Sequence, residues 1–191
     1  HRPRRRHESG LTAMRPQLKH VGIYVNDIDR MERFYTRVFD LVVTDHGTVP
    51  RLDHRRITFM SAAADAHHQF VLLAGKDPAS GPSVVFQFSF YLQSLAELRT
   101  IRGRLEAEGA TDIKAINHGN AWSVYAQDPE GNGLEAYLDT PWHVPQPHGI
   151  PFDLSQPDET IIAQTLAHVK ATPGFRHRDE WLREQEQLLN A

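Results

Sequence analysis

An α+β fold of two βαβββ units, followed by a helical extension, is what this sequence predicts. Two observations carry the prediction. The chain repeats itself at an offset of 67 residues, so that His20-Val-Gly-Ile-Tyr24-Val-Asn-Asp27 is answered by Gln87-Phe-Ser-Phe-Tyr91-Leu-Gln-Ser94. Each copy is an alternating apolar strand, an Asp or Ser cap and a helix of helical periodicity, and three further strand-like stretches follow. A repeat is informative because it fixes which positions correspond before any motif is read.

The first unit spans residues 16–75. Its strand at 18–25 leads to a helix at 28–39, and strands follow at 41–44, 56–60 and 68–73. Lys76-Asp-Pro-Ala-Ser-Gly-Pro82 is a turn-rich linker. The second unit spans 83–139, with a strand at 84–92 and a helix at 95–108 closed by Gly109. Strands at 112–116, 122–126 and 134–138 complete it, and Asp128-Pro-Glu-Gly-Asn132-Gly133 is a strong turn before the last. Together the units form a domain over residues 16–140. Residues 141–191 are an extension. Its Pro-rich start, through Pro151, is expected to cross the surface rather than continue a sheet. Ser155-Gln-Pro-Asp158-Glu159 starts a helix that runs to about Lys170, and another follows at 179–189. Trp142 lies in a segment too irregular to make its own core, so it is expected to bury against the domain or a partner subunit. Residues 1–15, which begin with the basic run His1-Arg-Pro-Arg4-Arg5-Arg6-His7, read as a disordered tail.

Composition narrows the class. A chain of 191 residues, 40% hydrophobic and 24% charged, is long enough for one globular core. A formal net charge of −3 gives no reason to expect nucleic acid. No apolar run approaches the roughly 18 residues that would span a membrane, and no apolar segment follows the basic start as a signal peptide requires. With no cysteine, any metal must be held by His, carboxylate or amide ligands. The lack of cysteine also fits a cytoplasmic protein. There are 12 histidines, so position decides which of them matter.

The offset that carries His20 onto Gln87 also carries His68 onto Glu135. These four polar residues lie at or near strand starts. Three are ordinary metal-ligand types, and an amide oxygen can be the fourth.

His20-Val-Gly-Ile, Phe34-Tyr35 and Asp128-Pro-Glu-Gly-Asn132 before Glu135 together resemble the vicinal oxygen chelate superfamily. That superfamily includes glyoxalase I, type I extradiol dioxygenases and bleomycin- or fosfomycin-resistance proteins. The resemblance covers about residues 16–140. It implies paired βαβββ units forming a partly open barrel around a divalent metal. A finer resemblance is to extradiol ring-cleaving dioxygenases. In that comparison His20 and Glu135 match metal ligands, and His67-His68 matches a pair whose second member is an acid/base. His118 and Tyr125 match a His and a Tyr beside the substrate. The third ligand position departs from the pattern, because it is Gln87 instead of His.

The function implied is a metal-dependent, Fe(II)-favouring dioxygenase acting on a catechol-like aromatic. The metal set is His20, Gln87 and Glu135, the catalytic set is His68, Tyr125 and His118, and the enzyme is a homodimer. Glyoxalase I-like sites accept Gln as one of four ligands. They imply the alternative of an isomerase or lyase using Zn, Ni or Mn on a dicarbonyl-type substrate, with His68 or Gln69 as the extra ligand. A third alternative is a non-catalytic protein that sequesters a small aromatic molecule.

Overall fold

The computed structural model describes residues 16–81 and 83–190; the tail expected over 1–15 lies outside them. The first unit contains β1 (Val21–Val25), α1 (Ile28–Phe39), β2 (Val42–Val49), β3 (Arg55–Ser61) and β4 (Phe70–Ala74). The second contains β5 (Phe88–Tyr91), α2 (Leu95–Ala107), β6 (Thr111–Asn117), β7 (Ala121–Gln127) and β8 (Gly133–Asp139). Their strands follow the orders β1-β4-β3-β2 and β6-β7-β8-β5. In each unit the first and last strands pair in parallel and the other neighbours are antiparallel. The repeat read in the sequence is therefore a repeat of topology. The two sheets are separate, and no closed barrel joins them among the described residues.

Local chemistry explains the helices. Asp27 Oδ1 accepts from Arg30 N and Ser94 Oγ from Glu97 N, so each cap satisfies an otherwise free donor. Ile28, Met31, Phe34, Tyr35 and Val38 give α1 one apolar stripe, and Leu95, Leu98, Ile101 and Leu105 do the same for α2. Both helices pack on their sheets in one shared core.

The Asp-Pro-Glu-Gly-Asn turn joins the two units. Asp128 Oδ1 accepts from Glu130 N and Asn132 N, which closes the turn. Its Oδ2 accepts from the buried Tyr35 hydroxyl of α1 at 2.8 Å. Glu130 in turn accepts from Asn26 N and Asp27 N, just ahead of α1. The motif is thus an architectural clamp between the β7–β8 turn and the first helix.

The extension departs from expectation at one point. It contains β9 (Trp142–His143), β10 (Ile150–Pro151), α3 (Asp158–Lys170), β11 (Arg176–His177) and α4 (Arg178–Asn190). The Pro-rich run does continue a sheet, because β10 pairs antiparallel with β6 through Ile150–Asn117 and Pro151–Ile116. It can do so because it is the edge strand, where a missing N–H faces no further neighbour. Trp142 is buried against Trp122 with perpendicular rings, and β9 pairs with β11.

Candidate active site

Strand parity puts one set of side chains on the face of the second sheet opposite the core that α2 packs into. Ser89 is opposite Glu135, and Glu135 is opposite Tyr125. Gln87 shares the parity of Ser89. Its placement depends on Gly133, where an added Cβ would lie 1.8 Å from the Phe86 carbonyl oxygen. Without a side chain there, the 85–87 backbone can cross the start of β8 and accept from Gly133 N.

Glu135, 8% exposed, is the hub. Its Oε2 accepts from Ser89 Oγ at 2.6 Å and Gln87 Nε2 at 2.9 Å. Its Oε1 accepts from Ser123 Oγ at 2.8 Å and the Tyr125 hydroxyl at 2.7 Å. All four donors are neutral, and Glu135 has no salt-bridge partner among the described residues. A carboxylate buried without a counter-charge favours a cation nearby. Burial, followed by the hydrogen bond to Glu135, pushes the Tyr125 phenol well above its ordinary pKa.

His118, in the β6–β7 turn, continues the network. Its Nε2 is 2.9 Å from the Tyr125 hydroxyl and its Nδ1 is 2.5 Å from the His148 carbonyl oxygen. A carbonyl accepts only, so Nδ1 carries a proton. The Tyr125 hydroxyl has one proton and two hydrogen-bonding neighbours.

Tyr125, His118 and Gln87 line a cavity of about 1080 Å³, closed on one side by Gln146–Gly149 of the extension. Gln87 also lines a second cavity of about 690 Å³, which reaches Leu18, Val21 and Gln69 of the first unit.

The other predicted residues form a second set. His20 precedes β1, and its ring centroid is 4.5 Å from that of His68. His67 and His68 approach Nδ1 to Nδ1 at 2.9 Å. Burial, then the neighbouring His20 and His67, hold the His68 pKa below the ordinary value. Gln69 Oε1 is engaged by Ala62 N at 3.0 Å. No hydrogen bond or ring contact joins this set to Glu135 among the described residues. No three His, Asp or Glu lie together as a metal site there either.

One equivalence is corrected. The parallel pairings set Gly22 opposite Val71 and Ser89 opposite Glu135. The repeat-related partner of Glu135 is therefore Val71, not His68. Likewise Phe59, opposite Val71, corresponds to Tyr125, opposite Glu135.

The donor chemistry suits a divalent cation. Glu135 offers a carboxylate without a counter-charge and Gln87 an amide oxygen with no hydrogen-bond partner among the described residues, while the two imidazoles of His20 and His68 lie in the separate set. Sequence reasoning missed Ser89, Ser123, His148 and His168. The first two were recoverable, because each lies two residues from a predicted site residue on the same strand face. Nothing in the sequence marks His148 and His168.

Folding should release protons from this region at mildly acid pH. His68, His143 and His148 all have pKa values lowered chiefly by burial. Their folded-state values lie below the unfolded one of about 6.5, so their contribution is complete above that pH and is lost as the pH falls through the folded values. The melting temperature should fall as the pH drops below about 6.5, and less steeply in His148→Gln. An equally steep fall in that variant would remove His148 from the account.

Residues 17–136 match the Glyoxalase/Bleomycin resistance protein/Dioxygenase superfamily. Over 171 residues the chain is 26% identical to biphenyl-2,3-diol 1,2-dioxygenase 2 of Rhodococcus globerulus, with 80% of this chain and 82% of that protein covered. Among solved structures, a glyoxylase/bleomycin resistance protein/dioxygenase domain from Frankia sp. EAN1pec superposes with a TM-score of 0.55 at 21% identity, covering 66% of this chain and all of that one. The fosfomycin resistance protein FosX of Listeria monocytogenes, complexed with Mn(II) and sulfate, superposes with a TM-score of 0.52 at 19% identity, covering 66% and 95%. At these identities the two structures establish the fold alone.

Proposed function

Because the chain belongs to the glyoxalase/bleomycin resistance protein/dioxygenase superfamily, we propose that it is a metal-dependent enzyme of the extradiol ring-cleaving type, acting on a catechol-like aromatic. The observation that carries the proposal is the connected run Glu135–Tyr125–His118, of which Tyr125 and His118 stand on the wall of the large cavity. Support also comes from the 26% identity to a protein named as a dioxygenase of a dihydroxy-aromatic.

Glu135, Gln87 and His20 would hold the metal, Fe(II) by preference, which would supply a Lewis acid for the substrate oxygens. Tyr125 and His118 face the cavity and are joined by a hydrogen bond. They can hydrogen-bond a substrate hydroxyl and return a proton to a developing anion at the Tyr125 oxygen or His118 Nε2. His68, with a depressed pKa, is neutral at neutral pH and so is available as a base. The apolar wall at Phe86, Ile116 and Leu134 suits an aromatic ring. The same reading makes the protein a homodimer, with the exposed Val84 and Phe86 beside the cavity as apolar area for a second copy.

Gln87 favours a second reading. An amide is a weaker donor to Fe(II) than imidazole, and a Gln ligand suits a glyoxalase-like isomerase or lyase with a redox-inactive metal. Tyr125→Phe tests the acid–base assignment. It keeps the ring and should leave metal content unchanged, while ring cleavage falls by roughly 10²–10⁴-fold. A Tyr125→Phe enzyme as fast as the wild type would overturn the assignment.

A further inference from the structure

We propose that the His148–His168 pair of the extension is a positioning device for His118, fixing which of its two ring nitrogens faces Tyr125. The device has three parts. Thr165 on α3 is buried, and its Oγ1 accepts from both Asn117 Nδ2 and Trp122 Nε1 at 2.9 Å. Those two bonds lock α3 against the two ends of the turn that carries His118. His168 lies three residues further along α3, on the same face. Its Nε2 is 2.9 Å from His148 Nε2.

The last part is the backbone of His148. With its ring tied to α3, His148 presents its carbonyl oxygen to His118 Nδ1 at 2.5 Å. Gln146 steadies the same strap by accepting from His148 N and donating to the His118 carbonyl. A carbonyl oxygen has no proton to give, so it admits only the form of His118 protonated at Nδ1. The other nitrogen, Nε2, is then the one that meets Tyr125. Burial and the neighbouring His168 and His118 keep His148 below its ordinary pKa, consistent with a neutral N–H···N bond in the pair. His168 does not line the cavity, so it acts on the site only through this strap.

The importance of the device rests on the proposed use of His118, but its geometry can be read in the resting protein. The test is 15N-histidine correlation NMR on the full chain, wild type beside His168→Phe and His168→Gln. Phe keeps the ring's bulk and loses the hydrogen bond, whereas Gln restores a hydrogen-bonding partner for His148. His118 should be a single species protonated at Nδ1 in the wild type and in His168→Gln. In His168→Phe a second species, protonated at Nε2 alone, should appear at about one-tenth of the population or more. An unchanged His118 in His168→Phe, or a His168→Gln protein that matches His168→Phe, overturns the proposal. If the nitrogen shifts follow the prediction while no substrate is turned over, the functional reading fails and the positioning device stands.

Discussion

Glu135→Ala should abolish stoichiometric metal binding and all turnover while the fold survives. The carboxylate is the only anion in its network among the described residues, and the four side chains that donate to it are neutral. Removing it takes away the charge that attracts a cation. It also leaves four donors facing a void, one of them the fully buried Ser123 hydroxyl. An unsatisfied buried donor costs about 1–3 kcal/mol. This is partly offset because an anion without a counter-charge is no longer buried. The net effect on stability should therefore be modest beside the loss of metal. Glu135→Gln keeps an acceptor for Ser123 and Tyr125 but loses the charge, so it should lose metal with less disturbance of the fold. Metal analysis of the purified variants beside their thermal melts reads both effects. Full occupancy in Glu135→Ala would place the metal site elsewhere.

Trp142→Ala should be the most destabilising single change in the extension. Its indole is buried at the join between β9 and the second sheet, edge-on to Trp122 at 6.4 Å between centroids. Truncating a buried Trp typically costs about 3–5 kcal/mol, because the lost burial is compounded by the cavity left behind. For a chain of this length that corresponds to a drop in melting temperature of roughly 6–20 °C. The damage should spread to the site, since the extension also supplies the carbonyl that meets His118. An unchanged melt would show that the extension is only loosely attached.

The first strand and helix of each unit were legible because their signals are local. Alternation, a cap and a helical stripe lie within 20 residues, and the same 67-residue offset holds for both copies. The offset fails further along: it is 66 between Phe59 and Tyr125 and 64 between Val71 and Glu135. Ten positions separate Tyr125 from Glu135, while twelve separate Phe59 from Val71. Alternation along a strand does not reveal a shorter turn, so His68 appeared to correspond to Glu135. Glu135 is hydrogen-bonded to Gln87 and Tyr125, and Tyr125 meets His118, although the repeat arithmetic that suggested Gln87 and Glu135 does not hold for the pair His68–Glu135. The extension was least legible. Its contacts with the site run through a backbone carbonyl at His148 and a two-residue edge strand, β10. Neither leaves a periodic or compositional trace in the sequence.

The cavity lined by Tyr125 and His118 is proposed to carry out oxygen-dependent ring cleavage. The most direct measurement is oxygen uptake by the Fe(II)-loaded protein with a panel of catechols, with the product followed by mass spectrometry. The account predicts one O₂ consumed per substrate and a ring-opened product that keeps both oxygen atoms. Turnover of a dicarbonyl–thiol adduct without oxygen uptake, or catechol binding with no O₂ consumed, would contradict it.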